Sequence, residues 1–256
     1  MNAATQSDAF WWMLGFSLLA GAGSIGLSAL ILTVPARGRQ RVMPHLLSLS
    51  VGTLLGAAFQ GLLPHALEAV PASRLFPVFL AGVIGFMFFE RVMLWRHCHE
   101  GDCEVHAASG TLILVGDAMH NFVDGILIAA TFLTSIPLGI AASLAILSHE
   151  VPQELGDFTI LLHNGYSPKR ALVLNSLASA TLPGGALVAW FCLPYLHGAV
   201  PYVMALAAAG FVYVAMADLV PSLHRCARLP QHALQLALIL AGMLVIGWLQ
   251  FGNHAH

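Results

Sequence analysis

The sequence predicts an all-α integral membrane protein, a bundle of eight transmembrane helices with both termini outside. Three observations lead there. The chain is 58% hydrophobic and 9% charged with a mean hydropathy of +0.81, where a soluble domain carries roughly 25% charged residues. Its apolar runs are long enough to cross roughly 30 Å of hydrocarbon at about 20 residues each. Basic residues gather at alternate ends of those runs. Stretches this long and uniformly apolar exclude the short alternating strands of a barrel, the other structure that satisfies its backbone in lipid.

The expected spans are Phe10–Thr33, Pro44–Leu63, Leu75–Trp95, Ser109–Leu133, Pro137–Leu162, Lys169–Leu193, Val200–Val220 and His232–Phe251. Met1 to Asp8 holds no Lys or Arg, so the first run lacks the basic lead of a signal peptide and reads as helix 1. Helix 1 carries Gly15, Gly21, Gly23 and Gly26, and helix 6 holds Pro183-Gly184-Gly185, compositions that let helix backbones approach closely. Arg37, Arg39 and Arg41 follow helix 1, Arg91 and Arg96 end helix 3, Lys169 and Arg170 follow helix 5, and Arg225 and Arg228 follow helix 7. Only Arg74 takes the other face. Basic residues in short loops mark the cytoplasmic side, which leaves both ends of an eight-span chain outside. Residues 1–256 then form a single transmembrane domain, with a polar loop at 96–108 between helices 3 and 4.

A net charge of −2 without a basic patch argues against nucleic acid as a partner. The lipid bilayer is the expected partner, and a multi-pass protein of the cell (plasma or inner) membrane is expected. The cysteines, Cys98 and Cys103 in the polar loop with Cys192 and Cys226 elsewhere, make no disulfide framework.

Helices 4 and 5 break the apolar pattern. An ionisable side chain in a bilayer segment must be paired, hydrated or metal-bound, which marks it as functional. At 3.6 residues per turn His120 stacks with Asp124 on helix 4, with Asn121 beside them. On helix 5 His149 stacks over Gln153 and Glu150 over Glu154, with Asp157 continuing the stripe. The short connection Thr134-Ser-Ile-Pro137 makes the two helices antiparallel neighbours. His120 lies roughly 15 residues before that turn and His149 roughly 12 after it, so the two stripes fall at similar depth. Pro152 lacks a backbone donor and frees the carbonyl one turn earlier, as interrupted helices do at transporter sites.

Imidazole, carboxylate and amide oxygen together suit a borderline ion such as Zn²⁺ or Fe²⁺, whereas an all-oxygen shell suits Mg²⁺ or Ca²⁺. Permanent zinc sites are closed by Cys and His. A carboxylate-rich set without thiolate fits an ion that must leave again. Asp117, three residues before His120, is an expected orienting partner for that imidazole. Asp157, His163, Asp218 and His224 could line an inner route. The loop residues His97, Cys98, His99, Cys103 and His106 have the composition of a metal-handling segment.

At these residues the chain resembles the ZIP (Zrt/Irt-like) family of divalent-metal transporters. His120-Asn-Phe-Val-Asp-Gly125 is similar to the family's helix-4 motif, and His149-Glu-Val-Pro-Gln-Glu-Leu-Gly-Asp157 to the helix-5 motif of its subgroup with histidine-rich loops. Val51-Gly-Thr-Leu-Leu-Gly56 with Leu62-Leu-Pro-His-Ala66 resembles helix 2, and Phe211-Val-Tyr-Val-Ala-Met-Ala-Asp-Leu-Val-Pro221 resembles helix 7. The resemblance implies uptake of Zn²⁺, with Fe²⁺, Mn²⁺ and Cd²⁺ as further candidates, into the cytosol by an elevator-like alternating access. It implies a binuclear site: His120, Asp124, His149 and Gln153 for one ion, Asn121, Asp124, Glu150 and Gln153 for the other, with Asp124 and Gln153 bridging.

Three departures from the family pattern stand out. Gln153 stands where the subgroup usually has His, Ala57 and Gln60 stand where relatives often have Asp and His, and no carboxylate lies near Thr181. His65 and Glu68 remain as ligands for an outer approach. A metal importer without prosthetic group, free to form a homodimer, is therefore the expectation. The contrasting reading is an intramembrane metal-dependent hydrolase, but the zinc-protease motif HExxH needs a second His where Gln153 stands.

Overall fold

The computed structural model of the protein describes residues 3–95, 110–196, 198–226 and 229–251, and every regular element among them is helical. Helix α1 is Ala3–Leu32, and α2 joins Ala36–Gly56, a π-helical turn Ala57–Leu62 and Leu63–Ala69. Then come α3 (Ala72–Trp95), α4 (Gly110–Thr134) and α5 (Ile136–His163). Helix α6 joins Pro168–Ser179 to Thr181–Cys192; α7 joins Val200–Tyr213, a π turn Val214–Leu219 and Val220–Cys226; α8 is Leu229–Phe251. Helix α2 is longer than its expected span because hydrogen bonding carries a helix past the hydrocarbon edge that apolarity detects.

Six stretches among the described residues, in α1, α2, α4, α6, α7 and α8, are long and apolar enough to cross a membrane. In α3 the apolar stretch is the shorter Ala72–Phe88. Helix α5 carries His149, Glu150, Gln153, Glu154 and Asp157, which lower its mean hydropathy. Large apolar side chains such as Trp11, Leu80, Ile84, Phe88, Leu240, Leu244 and Trp248 face outward, while Asp124, His149, Glu150 and Glu154 are buried. That is the distribution expected when the surrounding solvent is lipid.

Proline accounts for the irregular turns. Pro64 and Pro221 each lie two residues past a π turn. A proline ring clashes with the carbonyl one turn earlier, and one extra residue in that turn relieves it. Pro152 is accommodated otherwise. The carbonyl of Ser148, freed by Pro152, accepts the hydroxyl of Ser50 on α2, and that of Val151 accepts Ser28 of α1 at 2.9 Å. The freed carbonyl therefore joins helices instead of serving the ligand stripe.

Between α4 and α5 only Ser135 is non-helical, and it caps α5 by accepting from the Leu138 amide at 3.3 Å. Helix α4 packs on α6 and α5, and α1 on α5, α6 and α4. A second set pairs α2 with α8 and α3 with α7, and α2 also meets α5. Within the sets, glycines on both partners remove the side chain where backbones meet. A Cβ on Gly125 of α4 would fall 1.9 Å from the Leu182 carbonyl oxygen, and one on Gly185 of α6 would fall 2.1 Å from that of Phe122. Gly52 of α2 and Gly242 of α8 meet the same limit, with Ile239 O at 2.1 Å and Leu49 O at 2.8 Å.

Gly125→Ala is therefore expected to lower stability by about 1–3 kcal/mol or more, the cost of forcing packed backbones apart. Gly184→Ala, with nothing within 4 Å of the added carbon, should leave stability unchanged or raise it by up to about 1 kcal/mol. Thermal unfolding of the two variants in detergent checks the contrast, and equal melting would refute it.

Candidate metal centre

Four side chains from α4 and α5 turn ligand atoms toward one point. His120 and Asp124 come from α4, His149 and Glu150 from α5, and their ligand atoms all lie within 4.8 Å of one another. The two imidazole Nε2 atoms are 3.2 Å apart. His149 Nε2 lies 3.2 Å from Asp124 Oδ2 and 3.4 Å from Glu150 Oε1. His120 Nε2 lies 3.8 Å and 3.6 Å from the same two oxygens. A tetrahedron around zinc with bonds near 2.0–2.1 Å has edges of about 3.3 Å. The separations are close to those edges.

Local bonds aim the groups. His149 Nδ1 sits 3.1 Å from the carbonyl of Ala145, which only accepts, so Nδ1 carries the proton and Nε2 the lone pair. Phe211 of α7 packs against the His149 ring in a T-shaped contact at 6.1 Å between centroids. Both carboxylate oxygens of Glu150, Asp124 Oδ2 and Asn121 Oδ1 are buried and take no hydrogen bond. Buried acceptors left unpaired cost on the order of 1–3 kcal/mol each. A cation would satisfy several of them at once.

Beside this set Asp117, Glu150 and Glu154 form a second group of three carboxylates. Glu154 is drawn toward α6, where its carboxylate accepts bonds from Asn175 Nδ2 and Ser179 Oγ. Asp117 does not orient the His120 imidazole as the sequence spacing suggests. Its Oδ1 accepts from Asn121 Nδ2 at 2.9 Å and from Gln153 Nε2 at 3.1 Å. Residues i and i+4 share a face, so Asp117 reaches Asn121 better than His120.

Two cavities adjoin the cluster. One, of about 350 Å³, is lined by His149, Gln153, Asp157, Asp218 and Ser222 among others. The other, about 380 Å³, is lined by Asp117, His120, Gln153, Asp157, Tyr213 and Asp218 among others. Asp157 and Asp218 thus border both, the latter from the π turn of α7.

Other expected residues stand apart. His65 is half-buried with Nδ1 on the Gly61 carbonyl at 2.9 Å, Glu68 is exposed, and neither joins a metal-competent group among the described residues. His163 is exposed and bonds the Thr159 carbonyl through Nδ1. His97, Cys98, His99, Cys103 and His106, and the side chain of His224, lie outside the described residues.

Asn175 and Ser179 went unnoticed in the sequence, although their spacing of four on helix 6 is itself a signal. The Thr181 hydroxyl donates to the Ala118 carbonyl of α4 at 2.6 Å.

Comparison with known proteins gives the family. The ZIP zinc transporter family model matches residues 95–250. Zinc transporter ZIP10 of Danio rerio is 38% identical over 117 residues, 46% of this chain and 14% of its own length. Zinc transporter ZIP4 of Mus musculus is 44% identical over 112 residues, 44% of this chain and 17% of its own. Zinc transporter ZIP6 of Homo sapiens is 33% identical over 150 residues, 56% of this chain and 20% of its own. The chain thus matches a fifth or less of the length of these relatives. With a family match over more than half of its residues, it belongs to the ZIP zinc transporter family.

Proposed function

We propose that the chain moves divalent metal ions, Zn²⁺ foremost and Fe²⁺, Mn²⁺ or Cd²⁺ as further substrates, across the cell membrane into the cytosol. The close approach of His120, Asp124, His149 and Glu150, with both imidazoles 3.2–3.8 Å from each other and from the two carboxylates, is the observation that carries this reading. The relatives' name as zinc transporters agrees with it. Asn121 and Gln153 supply amide oxygens beside that set, giving a binuclear centre in which Asp124 bridges. The transported ion is the substrate, and no prosthetic group is invoked.

Eight spans with both termini outside put the basic connections in the cytosol. One cavity is lined from the halves of α2, α5 and α7 nearest those connections, including Leu47, Ile160 and Ser222, and the other from α3, α4, α5 and α7, including Ile113. On that topology they form an inner release route past Asp157 and Asp218. The two packing sets, α1/α4/α5/α6 and α2/α3/α7/α8, are the bodies an elevator would slide against each other, with α2 and α5 at their boundary. The loop at 96–108, in the cytosol, would receive released ion, and homodimerisation would leave the site within each chain. The hydrolase reading has no second HExxH histidine to support it.

Purified protein in sealed vesicles loaded with a zinc-sensitive dye should admit zinc, and lipase and protease assays should stay blank; hydrolysis without flux would reverse the reading. Asp124→Ala should abolish uptake, because it removes a carboxylate that approaches both imidazoles. Wild-type rates in that variant would sink the site assignment. Gln153→His should bind zinc more tightly, by about tenfold or more, and release it more slowly, since imidazole is the stronger ligand. An unchanged zinc titration would show that position 153 does not touch the ion.

Acid should weaken binding. A proton and a metal ion compete for the same imidazole lone pair, so zinc affinity should fall as the medium is acidified, by at most about tenfold per pH unit for each imidazole that ligates. A zinc titration flat between about pH 7.5 and 5 would count against imidazole ligands.

A further inference from the structure

We infer that Asp117 is a positioning residue that fixes which atom of each neighbouring amide faces the ion. The inference rests on the reading of Asn121 and Gln153 as ligands. A side-chain amide ligates a cation only through its oxygen, and a half-turn about its last bond replaces that oxygen with an NH₂ group of nearly the same shape and opposite polarity. Something must therefore hold each amide the right way round. Asp117 Oδ1 accepts from Asn121 Nδ2 at 2.9 Å and from Gln153 Nε2 at 3.1 Å, so one carboxylate oxygen takes the nitrogen of both.

The consequence is visible at Asn121. Its Oδ1 points away from Asp117, is buried and accepts no hydrogen bond, in a residue that is 0% exposed. Gln153 lines the same cavities as His149 and His120, and with Nε2 committed to Asp117 its Oε1 is the atom left for the ion. Asp117 is itself only 4% exposed, so water does not compete freely for its oxygen. Asp117 and Asn121 share a face of α4, one turn apart, whereas Gln153 comes from α5. The carboxylate thus sets the polarity of two ligands on two helices from one atom. Where Gln stands at position 153, the site depends on this lock in a way that a symmetric carboxylate would not.

The test measures zinc affinity of the full chain in detergent by competition with a chromophoric chelator. Asp117→Ala should weaken binding by about 10–100-fold, the usual cost of losing an orienting partner. Asp117→Asn should stay within about threefold of wild type, because its oxygen accepts both bonds without the charge. Equal losses in the two variants would mean that the charge acts directly on the ion, and an unaltered Asp117→Ala would mean that no lock exists; either overturns the inference. If the alanine variant fails to fold, Asp117→Leu replaces it with the same expected loss.

A second arm removes the need for orientation. In an Asn121→Asp/Gln153→Glu background either oxygen serves, so adding Asp117→Ala should cost less than about threefold, and an undiminished loss would refute positioning. Asn121→Ala and Gln153→Ala separate the two levels of argument. Wild-type affinity in both would overturn the amide-ligand reading, whereas losses there with none in Asp117→Ala would overturn only the lock.

Discussion

Burying several carboxylates of one sign in a helical pair is costly unless positive charge or hydrogen-bond donors meet them, and the architecture around α4 and α5 follows from that cost. Glu150 is fully buried with both oxygens unpaired, and Asp124 Oδ2 sits against two imidazoles. Buried as they are, these oxygens are not met by water freely. The ligand helices must hold their polar faces together, and the remaining helices must seal them while giving hydroxyls and amides to the groups that need partners. Ser28 and Ser50 do this for carbonyls around Pro152, Thr181 for Ala118, and Asn175 with Ser179 for Glu154.

That demand also explains the packing. Helix α6 comes close enough to α4 to donate Thr181 only because Gly125 and Gly185 clear each other's backbone. Helices α2 and α8 are drawn together by the same device at Gly52 and Gly242. Across the boundary of the two packing sets the contact changes character: a Cβ on Gly61 of α2 would fall 3.1 Å from a leucine side chain, Leu138, and hydroxyls of Ser50 and Thr53 meet Ser148 of α5. Side chains adapt more readily than backbone, so the boundary is the softer seam.

The helices and the two facing ligand stripes could be read in the sequence because both depend on period: apolar run length for one, spacings of four for the other. The short turn at Ser135 was equally plain. Partners of single polar groups were not. Spacing alone offered Asp117 to His120, and only the arrangement of α4 against α5 directs it to Asn121 and Gln153. Glu154, grouped with Asp117 and Glu150, also takes bonds from Asn175 and Ser179, which become evident only with α6 in place. Pro152 marked irregular backbone, yet the helix around it is unbroken, whereas the π turns lie before Pro64 and Pro221. That choice depends on whether a neighbouring hydroxyl is at hand to take the freed carbonyl.

One residue, Ser135, separates the two helices that carry the ligands. So short a connection keeps α4 and α5 together, and His120, Asp124, His149 and Glu150 all belong to that hairpin, with Phe211 of α7 packed on the His149 ring. If the hairpin moves as a body, the ion rides in an unchanged cage and is held equally tightly at either face of the membrane. The protein would then add no direction of its own: net movement would run down the difference in free-ion concentration, and retention in the cytosol would fall to whatever binds the ion after it leaves.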